Sequence, residues 1–326
     1  MVRPNAVPAL STRAAWALGA VAALATLAAC PRDAPPAPVA PPALSAWSFT
    51  SDGHELRAFG TEAPPSAAIL VVAHGGPGVS HESVAALARL AGPSLRVVFW
   101  DQRGVGASDP VPPAEQGLDA QVRDLEALRA DLGADRVVVA GQSWGGLVAM
   151  AYAVAHPDRV RALLLLDAIP ASREELDQAF ERFHERRRAL TLAGVVPAEL
   201  PEATGGDCTA ATVALAPVYF HDPAHPLARS IGGATCRAGV LEATWERTGD
   251  FDLRLPLRAL AIPTLVLAGD DDPFGAKTLE DVVDALDPDV TTVETLHECG
   301  HNGFVECPGP WFAAARAFLD GVLTRP

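Results

Sequence analysis

The feature that most constrains this chain is a serine set among closely spaced glycines, Gly-Gln-Ser-Trp-Gly-Gly at residues 141–146. It directly follows the apolar run at residues 136–140. A Gly-x-Ser-x-Gly sequence between a strand and a helix is typical of a nucleophile elbow, a strained turn that exposes the serine hydroxyl. The two backbones nearly collide in such a turn, and Gly141 and Gly145 leave room for them. The segment therefore predicts that Ser143 is a catalytic nucleophile.

Apolar, strand-like runs alternate with helix-like segments along most of the chain. The predicted strands are residues 68–73, 95–100, 136–140, 160–166, 263–268 and 290–296. The predicted helices are residues 82–90, 118–132, 147–155, 278–286 and 311–323. This alternation indicates an α/β fold with a mostly parallel sheet that is covered by helices on both faces. Ahead of the first of these strands, Asp52-Gly53 predicts a hairpin turn.

Residues 171–255 interrupt the alternation. They contain charged helical patterns and scattered prolines, and they show no convincing buried strand. We therefore expect a helical lid that is inserted into a core made of residues 45–170 and 256–326. Apolar residues make up 49% of the chain, which is enough to bury a large core.

Residues 1–29 have the pattern of an export signal. Arg3 and Arg13 precede an apolar stretch that is short for a membrane-spanning helix, which needs about 20 residues. The stretch ends in Leu-Ala-Ala-Cys30, which resembles the lipobox of bacterial lipoproteins and predicts cleavage before Cys30 and lipidation of its thiol. The alternative is an ordinary signal peptide with an incidental cysteine. Residues 30–44 are rich in proline and predict a semi-rigid tether, so we expect an exported, lipid-anchored protein of the bacterial cell envelope.

The other four cysteines are Cys208, Cys236, Cys299 and Cys307. An even number in an exported chain indicates disulfides, and of the three possible pairings the sequence-local one is favoured, Cys208–Cys236 with Cys299–Cys307. No Cys-x-x-Cys spacing or paired-histidine motif supports zinc. The 40 acidic residues outnumber the 25 basic ones, and the absence of a basic cluster argues against nucleic acid as a partner.

A serine nucleophile needs a base and an acid that orients the base. The acidic run at residues 270–272 follows the predicted strand 263–268 and supplies three candidates for the acid. His301 follows the final predicted strand and is the candidate base, with His297 as its competitor.

The same chemistry needs backbone N–H groups that stabilise an oxyanion. The residue after the nucleophile, Trp144, supplies one, and Gly76 of the loop His-Gly-Gly-Pro-Gly at residues 74–78 supplies the other. A second glycine-rich loop, residues 101–108, lacks a phosphate-binding motif, and we expect its Asp101 and Arg103 to support the oxyanion loop. No metal or organic cofactor is implied.

Together, the motifs at residues 74–78, 101–108 and 141–146 resemble those of the α/β-hydrolase superfamily, in particular its proline iminopeptidase-like branch. The resemblance implies the chain order Ser, Asp, His for the catalytic residues. It selects Asp272, which stands three residues after the glycine that ends its strand, and His301, which directly follows a glycine. Members of this branch bind a free amino group with acidic lid side chains, and Trp245-Glu246 is similar to a Trp-Glu pair of theirs, which makes Glu246 a candidate.

The function expected from this resemblance is an aminopeptidase that releases N-terminal residues from small peptides. Ser143 would attack the carbonyl, His301 would transfer the proton, and Asp272 would orient the imidazole. The alternative keeps the chemistry but takes a carboxylic ester or lactone as substrate. A non-catalytic binding protein that retains the fold is a third possibility, which substitution of Ser143 would distinguish from the enzymes.

Overall fold

A computed structural model describes residues 42–229 and 232–324. The predicted export signal, Cys30 and nearly all of the tether lie outside the described residues. Within the described ranges, no helix is both long and apolar enough to cross a membrane.

The described residues form one eight-stranded sheet in the order β1-β2-β4-β3-β5-β6-β7-β8. The first two strands are antiparallel to their neighbours, and all the other pairs are parallel, which confirms the mostly parallel sheet. The strands are β1 Ser45–Ser51, β2 His54–Gly60, β3 Ala68–Ala73, β4 Leu95–Trp100, β5 Val137–Gln142, β6 Val160–Leu166, β7 Thr264–Gly269 and β8 Thr291–Leu296.

Helices cover both faces of this sheet. The α-helices are α1 Leu118–Asp131, α2 Trp144–Ala155, α3 Arg173–Leu192, α4 Thr209–Leu215, α5 Ala238–Thr248, α6 Arg254–Arg258, α7 Ala276–Asp284, α8 Gly303–Glu306 and α9 Pro308–Leu323. Short 3₁₀ helices are found at His81–Leu90, Pro113–Glu115, Pro157–Arg159 and Ala216–Tyr219.

Every residue of the central strand β5 is buried. Because successive side chains of a strand point to opposite faces, both faces of the sheet must be covered at this strand. Val137 and Val139 pack in a core with α1 and α2. Val138 and Ala140 pack in a second core, with α9 and the 3₁₀ helix His81–Leu90. The continuous apolar run in the sequence therefore reflects a strand that is covered on both sides.

The predicted hairpin turn joins β1 to β2 at one edge of the sheet. Asp52 has a φ of 51° and Gly53 a φ of 85°, so both residues are in the left-handed region that tight two-residue hairpin turns require. The hairpin places Ser51 opposite His54.

Some predicted helix boundaries differ from those of the structure. Helix α2 begins at Trp144, directly after the predicted nucleophile, and not at residue 147. The segment predicted as a helix at residues 82–90 is a 3₁₀ helix that begins at His81. Between β6 and β7 the chain forms α3 to α6, and the last of these extends past the predicted lid boundary at residue 255.

Candidate active site

Ser143 occupies the turn between β5 and α2. Its φ of 56° is in the left-handed region, which is strained for a residue other than glycine. A Cβ atom on Gly141 would lie 2.0 Å from the carbonyl oxygen of Gly145, and one on Gly145 would lie 2.1 Å from that of Ala73. Only glycine fits at these two positions. The close packing of the backbone therefore requires the two glycines of the motif that predicted Ser143.

His301 and Asp272 come from loops that follow neighbouring strands, β8 and β7. The ring nitrogen Nδ1 of His301 lies 2.6 Å from Oδ2 of Asp272. The other ring nitrogen, Nε2, is buried and has no hydrogen-bond partner among the described residues. His301 and Ser143 line the same cavity, which has a volume of about 120 Å³. The structure therefore brings together the three residues that the sequence selected.

The other candidates for the base and the acid make different contacts. Oδ2 of Asp270 contacts Nδ1 of His297 at 2.7 Å, and the His297 side chain is 84% exposed. Both carboxylate oxygens of Asp271 accept hydrogen bonds from Arg186 of α3, at 3.0 and 3.1 Å. Asp270 and His297 thus pair with each other at the surface, while Asp271 connects the loop to α3.

The charge of Asp272 has a strong influence on the pKa of His301. Burial alone would lower the pKa of His301, but the charge of Asp272 and its hydrogen bond to the ring outweigh burial and raise this pKa above the usual 6.5. The imidazole is therefore a stronger base than an isolated histidine.

Asp167 is a second carboxyl group beside this pair, and no motif pointed to it. It directly follows β6 and is 3% exposed. Its Oδ1 accepts a hydrogen bond from the N–H of Gly269 at 2.9 Å, and the backbone of Gly303 also interacts with the carboxyl group. Burial, followed by the charge of Asp272, raises the pKa of Asp167 well above its usual range. The available signal was its position at the carboxyl end of a predicted strand.

Gln102 connects the loop of residues 74–78 to the side chain of Trp144. Its side-chain amide donates to the carbonyl oxygen of His74 at 2.9 Å, and its Oε1 accepts from the indole N–H of Trp144 at 3.0 Å. His74 lies in the same loop as Gly76, and burial lowers its pKa to about 4, so its ring is neutral. Nε2 of this ring accepts the backbone N–H of Gln102 at 3.1 Å.

Of the two residues expected to support the oxyanion loop, only one lies next to it. Oδ1 of Asp101 accepts the backbone N–H of His81 at 3.0 Å, at the start of the 3₁₀ helix that follows the loop. Arg103 instead pairs with Asp124 of α1, with its Nη2 2.5 Å from Oδ1. The other partners of Arg103 are Asp52 and the carbonyl groups of Glu115 and Ala120, none of which belongs to the loop, whereas Gln102 bonds to His74 within the loop.

The loop that carries His301 is fixed from both sides. A disulfide joins Cys299 to Cys307 across it. The carbonyl oxygen of Tyr219 accepts the N–H of His301 at 2.8 Å. The carboxylate of Glu306 accepts a hydrogen bond from the N–H of Gly300 at 2.8 Å. It also accepts hydrogen bonds from the N–H groups of His221 and Asp222, which follow shortly after Tyr219, at 3.1 and 2.9 Å.

The inserted segment also contacts the oxyanion loop. Its disulfide joins Cys208 to Cys236, and Cys236 forms a β-bridge with Val79. The N–H of Arg237 donates to the carbonyl oxygen of Gly78 at 2.8 Å. Both disulfides thus have the sequence-local pairing.

Glu246, the lid residue suggested by the resemblance, is exposed on α5 and does not line the cavity that contains Ser143. Its neighbour Trp245 packs instead against Trp144, with ring centroids 4.9 Å apart. This helix therefore places its apolar side toward the elbow and Glu246 toward solvent, outside the cavity that contains Ser143. The inserted residues that do line the cavity are Thr212 and Tyr219.

Among the residues that the structure describes, one group of side chains has the composition of a metal site. The ligand atoms of His81, Glu82 and Asp101 lie within 4.8 Å of one another. Nδ1 of His81 is hydrogen-bonded to Oδ1 of Asp101 at 2.8 Å, and Oδ2 of Asp101 accepts the N–H of Ala107 at 2.8 Å. The side-chain atoms of His81 and Asp101 already have these hydrogen-bond partners. We therefore interpret the group as a hydrogen-bond network that holds the loop of residues 101–108.

Known proteins are similar to this chain in sequence and in fold. A family model described as "alpha/beta hydrolase fold" matches residues 68–202. The proline iminopeptidase of Lactobacillus delbrueckii subsp. bulgaricus is 30% identical over 259 residues, which cover 73% of this chain and 84% of the relative. That of Lactobacillus helveticus is 28% identical over 281 residues, or 80% of this chain and 91% of the relative. The chain belongs to the α/β-hydrolase superfamily, in its proline iminopeptidase-like branch, and is a hydrolase.

Solved structures share the fold. The proline iminopeptidase of Mycobacterium smegmatis superposes with a TM-score of 0.66 at 24% identity, covering 86% of this chain and 99% of that one. A thermophilic esterase of Thermogutta terrifontis has a TM-score of 0.62 at 25% identity and covers 86% of this chain and all of its own. The same architecture therefore occurs in both peptidases and esterases.

Proposed function

We propose that this protein is a serine aminopeptidase of the proline iminopeptidase type that releases N-terminal residues from small peptides. The observation that carries the proposal is the arrangement of three side chains. Ser143 and His301 line one cavity, and Asp272 contacts the far side of the His301 ring at 2.6 Å. The curated relatives named proline iminopeptidases support the choice of substrate, because the chain aligns with most of their length.

In the first step, Oγ of Ser143 attacks the carbonyl carbon of the substrate, and Nε2 of His301 takes the hydroxyl proton. Asp272 holds the ring through Nδ1 and stabilises the imidazolium that forms. The backbone N–H groups of Gly76 and Trp144 stabilise the oxyanion of the tetrahedral intermediate. His301 then gives its proton to the leaving amine as the C–N bond breaks.

In the second step, a water molecule attacks the ester bond that links the acyl group to Ser143. His301 takes a proton from this water and returns one to Oγ as the C–O bond breaks. The products are the free N-terminal residue and the shortened peptide, and the enzyme regains its starting protonation state.

The direct test is an assay of the full chain in detergent, beside its Ser143→Ala variant. A prolyl arylamide with a free amino group, the same compound with a blocked amino group, and a short-chain aryl ester are the substrates. The proposal expects turnover of the free-amine arylamide by the native protein only. If the ester alone is turned over, the aminopeptidase activity is excluded.

The second candidate is a carboxylesterase or lactonase, which uses the same catalytic residues. A largely apolar pocket of about 340 Å³ adjoins the cavity, and such a pocket suits the acyl chain of an ester as well as an apolar amino-acid side chain. The esterase from Thermogutta terrifontis supports this alternative through its similar fold. The ester arm of the same assay decides between the two.

We also propose that the enzyme is an exported lipoprotein, anchored through Cys30 and held off the membrane by the tether of residues 30–44. The support is the basic start, the apolar run and the Leu-Ala-Ala-Cys sequence. In a bacterial host, the native chain is expected in the membrane fraction, and Cys30→Ala is expected to appear in the soluble envelope fraction or to remain as an uncleaved precursor. Labelling with a radioactive fatty acid provides the measurement. Equal labelling of both proteins would contradict the anchor.

The proposed role of His301 predicts a pH dependence. The base must be neutral to accept a proton, and the pKa of His301 is raised above 6.5, so kcat/KM is expected to fall as the pH drops through a value above 6.5. In Asp272→Asn the largest opposing charge is gone while burial still lowers this pKa, so the acid limb is expected to move to lower pH. Asp167 is the other carboxyl group that raises the pKa of His301, and Asp167→Asn is expected to give a smaller shift in the same direction. If the acid limb of the kcat/KM profile lies at the same pH in both variants as in the native protein, this would contradict the assignment of His301 as the base.

A further inference from the structure

The cavity that contains Ser143 and His301 adjoins the apolar pocket of about 340 Å³. The two spaces share four lining residues, which are Ser83, Thr212, Tyr219 and Asn302. We call these four residues the junction, because an extended ligand that occupies both spaces must pass between them. Beyond the junction the pocket lining is mostly apolar and includes Ala216, Phe220 and Phe304.

The polar side chains of the junction differ in whether they already have partners. The hydroxyl groups of Ser83 and Thr212 donate to backbone carbonyl oxygens three and four residues earlier in the chain, at 3.0 and 3.1 Å. In contrast, the hydroxyl of Tyr219 and the side-chain amide of Asn302 have no hydrogen-bond partner among the described residues, although both residues are half-buried. Polar groups inside a protein normally have a partner, so these two exceptions need an explanation.

Both of these side chains lie beside the proposed base. Asn302 directly follows His301, and the ring centroid of Tyr219 lies 5.4 Å from that of His301. Burial raises the pKa of Tyr219 to about 12, so its hydroxyl remains protonated and can donate a hydrogen bond at neutral pH. A ligand group that binds both side chains would therefore lie near the reacting carbonyl.

The chemistry of the junction matches a neutral group. The hydroxyl of Tyr219 and the amide of Asn302 can each donate and accept a hydrogen bond. Among the described residues that line the cavity there is no aspartate, glutamate, lysine or arginine. The pocket lining includes Glu82, but its carboxylate already accepts a hydrogen bond from the hydroxyl of Ser80 at 2.5 Å. An amide group, which offers one carbonyl oxygen and one N–H, is the complement of this pair.

We propose that Tyr219 and Asn302 bind a neutral amide group of the substrate and that the apolar chain beyond this amide enters the pocket. Two kinds of substrate share this chemistry. The first is a tripeptide or a longer peptide, whose second peptide bond supplies the amide. The second is an N-acylated amino-acid ester, whose acylamino group supplies it. The first kind rests on the proposed aminopeptidase function, and the second rests on the alternative esterase function.

The test measures binding to the full chain with Ser143→Ala, which cannot form the covalent intermediate. The first ligand pair is prolylglycine butylamide and prolyl heptylamide, and the second is methyl N-butanoylglycinate and methyl heptanoate. The two ligands of each pair have equal chain length, and an amide in one replaces two methylene groups in the other. The ratio of their dissociation constants, measured by isothermal titration calorimetry, therefore isolates the contribution of the amide.

Tyr219→Phe and Asn302→Leu, each added to Ser143→Ala, are expected to shift this ratio against the amide by about twofold to tenfold, as for the loss of one hydrogen bond. The ligand pair that responds identifies the kind of substrate. Tyr152→Phe is the matched control, because it removes the hydroxyl of the only other tyrosine in the chain. That hydroxyl donates to Glu126 at 2.7 Å, and Tyr152 lines neither space, so the ratio is expected to stay unchanged.

Unchanged ratios in both pairs for either variant would overturn the role of that residue, and a shift of the same size in Tyr152→Phe would overturn the proposal. Both constants of a ratio come from the same variant, so a smaller folded fraction cancels. The proposed function can fail separately, because this binding needs no turnover. If the ratios shift but the native protein hydrolyses neither the arylamide nor the aryl ester, the amide site stands and the proposed function falls. If the native protein hydrolyses the arylamide and the ratios do not shift, the function stands and the amide site falls.

Discussion

Replacement of Ser143 by alanine is expected to lower kcat by on the order of 10⁶-fold for any substrate that the protein hydrolyses. The substitution removes the only atom that forms the covalent intermediate. Alanine has the same Cβ atom, and the hydrogen bond from the N–H of Gly146 to the carbonyl oxygen of residue 143 remains. The strained turn should therefore persist, and the melting temperature should stay close to the native value. Steady-state kinetics with thermal unfolding of the same samples gives both quantities.

Two results would contradict this expectation. Turnover within about tenfold of the native rate would exclude covalent catalysis by Ser143. A large fall in melting temperature would mean that the loss of activity reports unfolding. Circular dichroism spectra of the native and variant proteins would detect the second case.

Replacement of Asp272 by asparagine is expected to lower kcat by about 10⁴-fold, because a neutral amide neither stabilises the imidazolium nor fixes the required tautomer. The hydrogen bond that the N–H of Phe274 donates to Oδ1 of Asp272, at 2.8 Å, can be kept by the amide oxygen. The matched controls are Asp270→Asn and Asp271→Asn in the same loop. Both are expected to change kcat by less than about tenfold, since their partners are His297 and Arg186.

Comparison of the three variants tests which aspartate is the acid. A larger loss for Asp271→Asn than for Asp272→Asn would show that the pair with Arg186 matters more than the contact with His301. Ion pairs of partly exposed side chains usually contribute at most about 1 kcal/mol, so we expect the opposite order. Kinetic constants measured at one pH above the pKa of His301 keep the comparison free of titration effects.

The sequence was most informative where several neighbouring residues obey one physical constraint. The apolar alternation predicted the parallel sheet, because β5 is covered on both faces and shows a continuous apolar run. Gly141 and Gly145 revealed the elbow, because a side chain at either position would collide with backbone atoms. The choice among residues 270–272 rested on a resemblance, since three adjacent carboxylates look alike until their partners are known.

Single residues whose partners are distant in the chain could not be found in this way. Gln102 contacts Trp144 across 42 positions, and Asp167 contacts Gly269 across 102 positions. Neither has a periodic or local signal that indicates its partner. The orientation of Glu246 could not be predicted for a similar reason, because a two-residue match does not reveal which side of α5 faces the elbow.

The carboxylate of Glu306 connects the loop that carries His301 to the inserted segment. It binds the N–H of Gly300, next to His301, and also the N–H groups of His221 and Asp222 in the inserted segment. The carbonyl oxygen of Tyr219 adds a direct bond to the N–H of His301. A displacement of residues 219–222 would therefore either break these bonds or move the backbone beside His301. The position of the proposed general base thus depends on the position of the inserted segment.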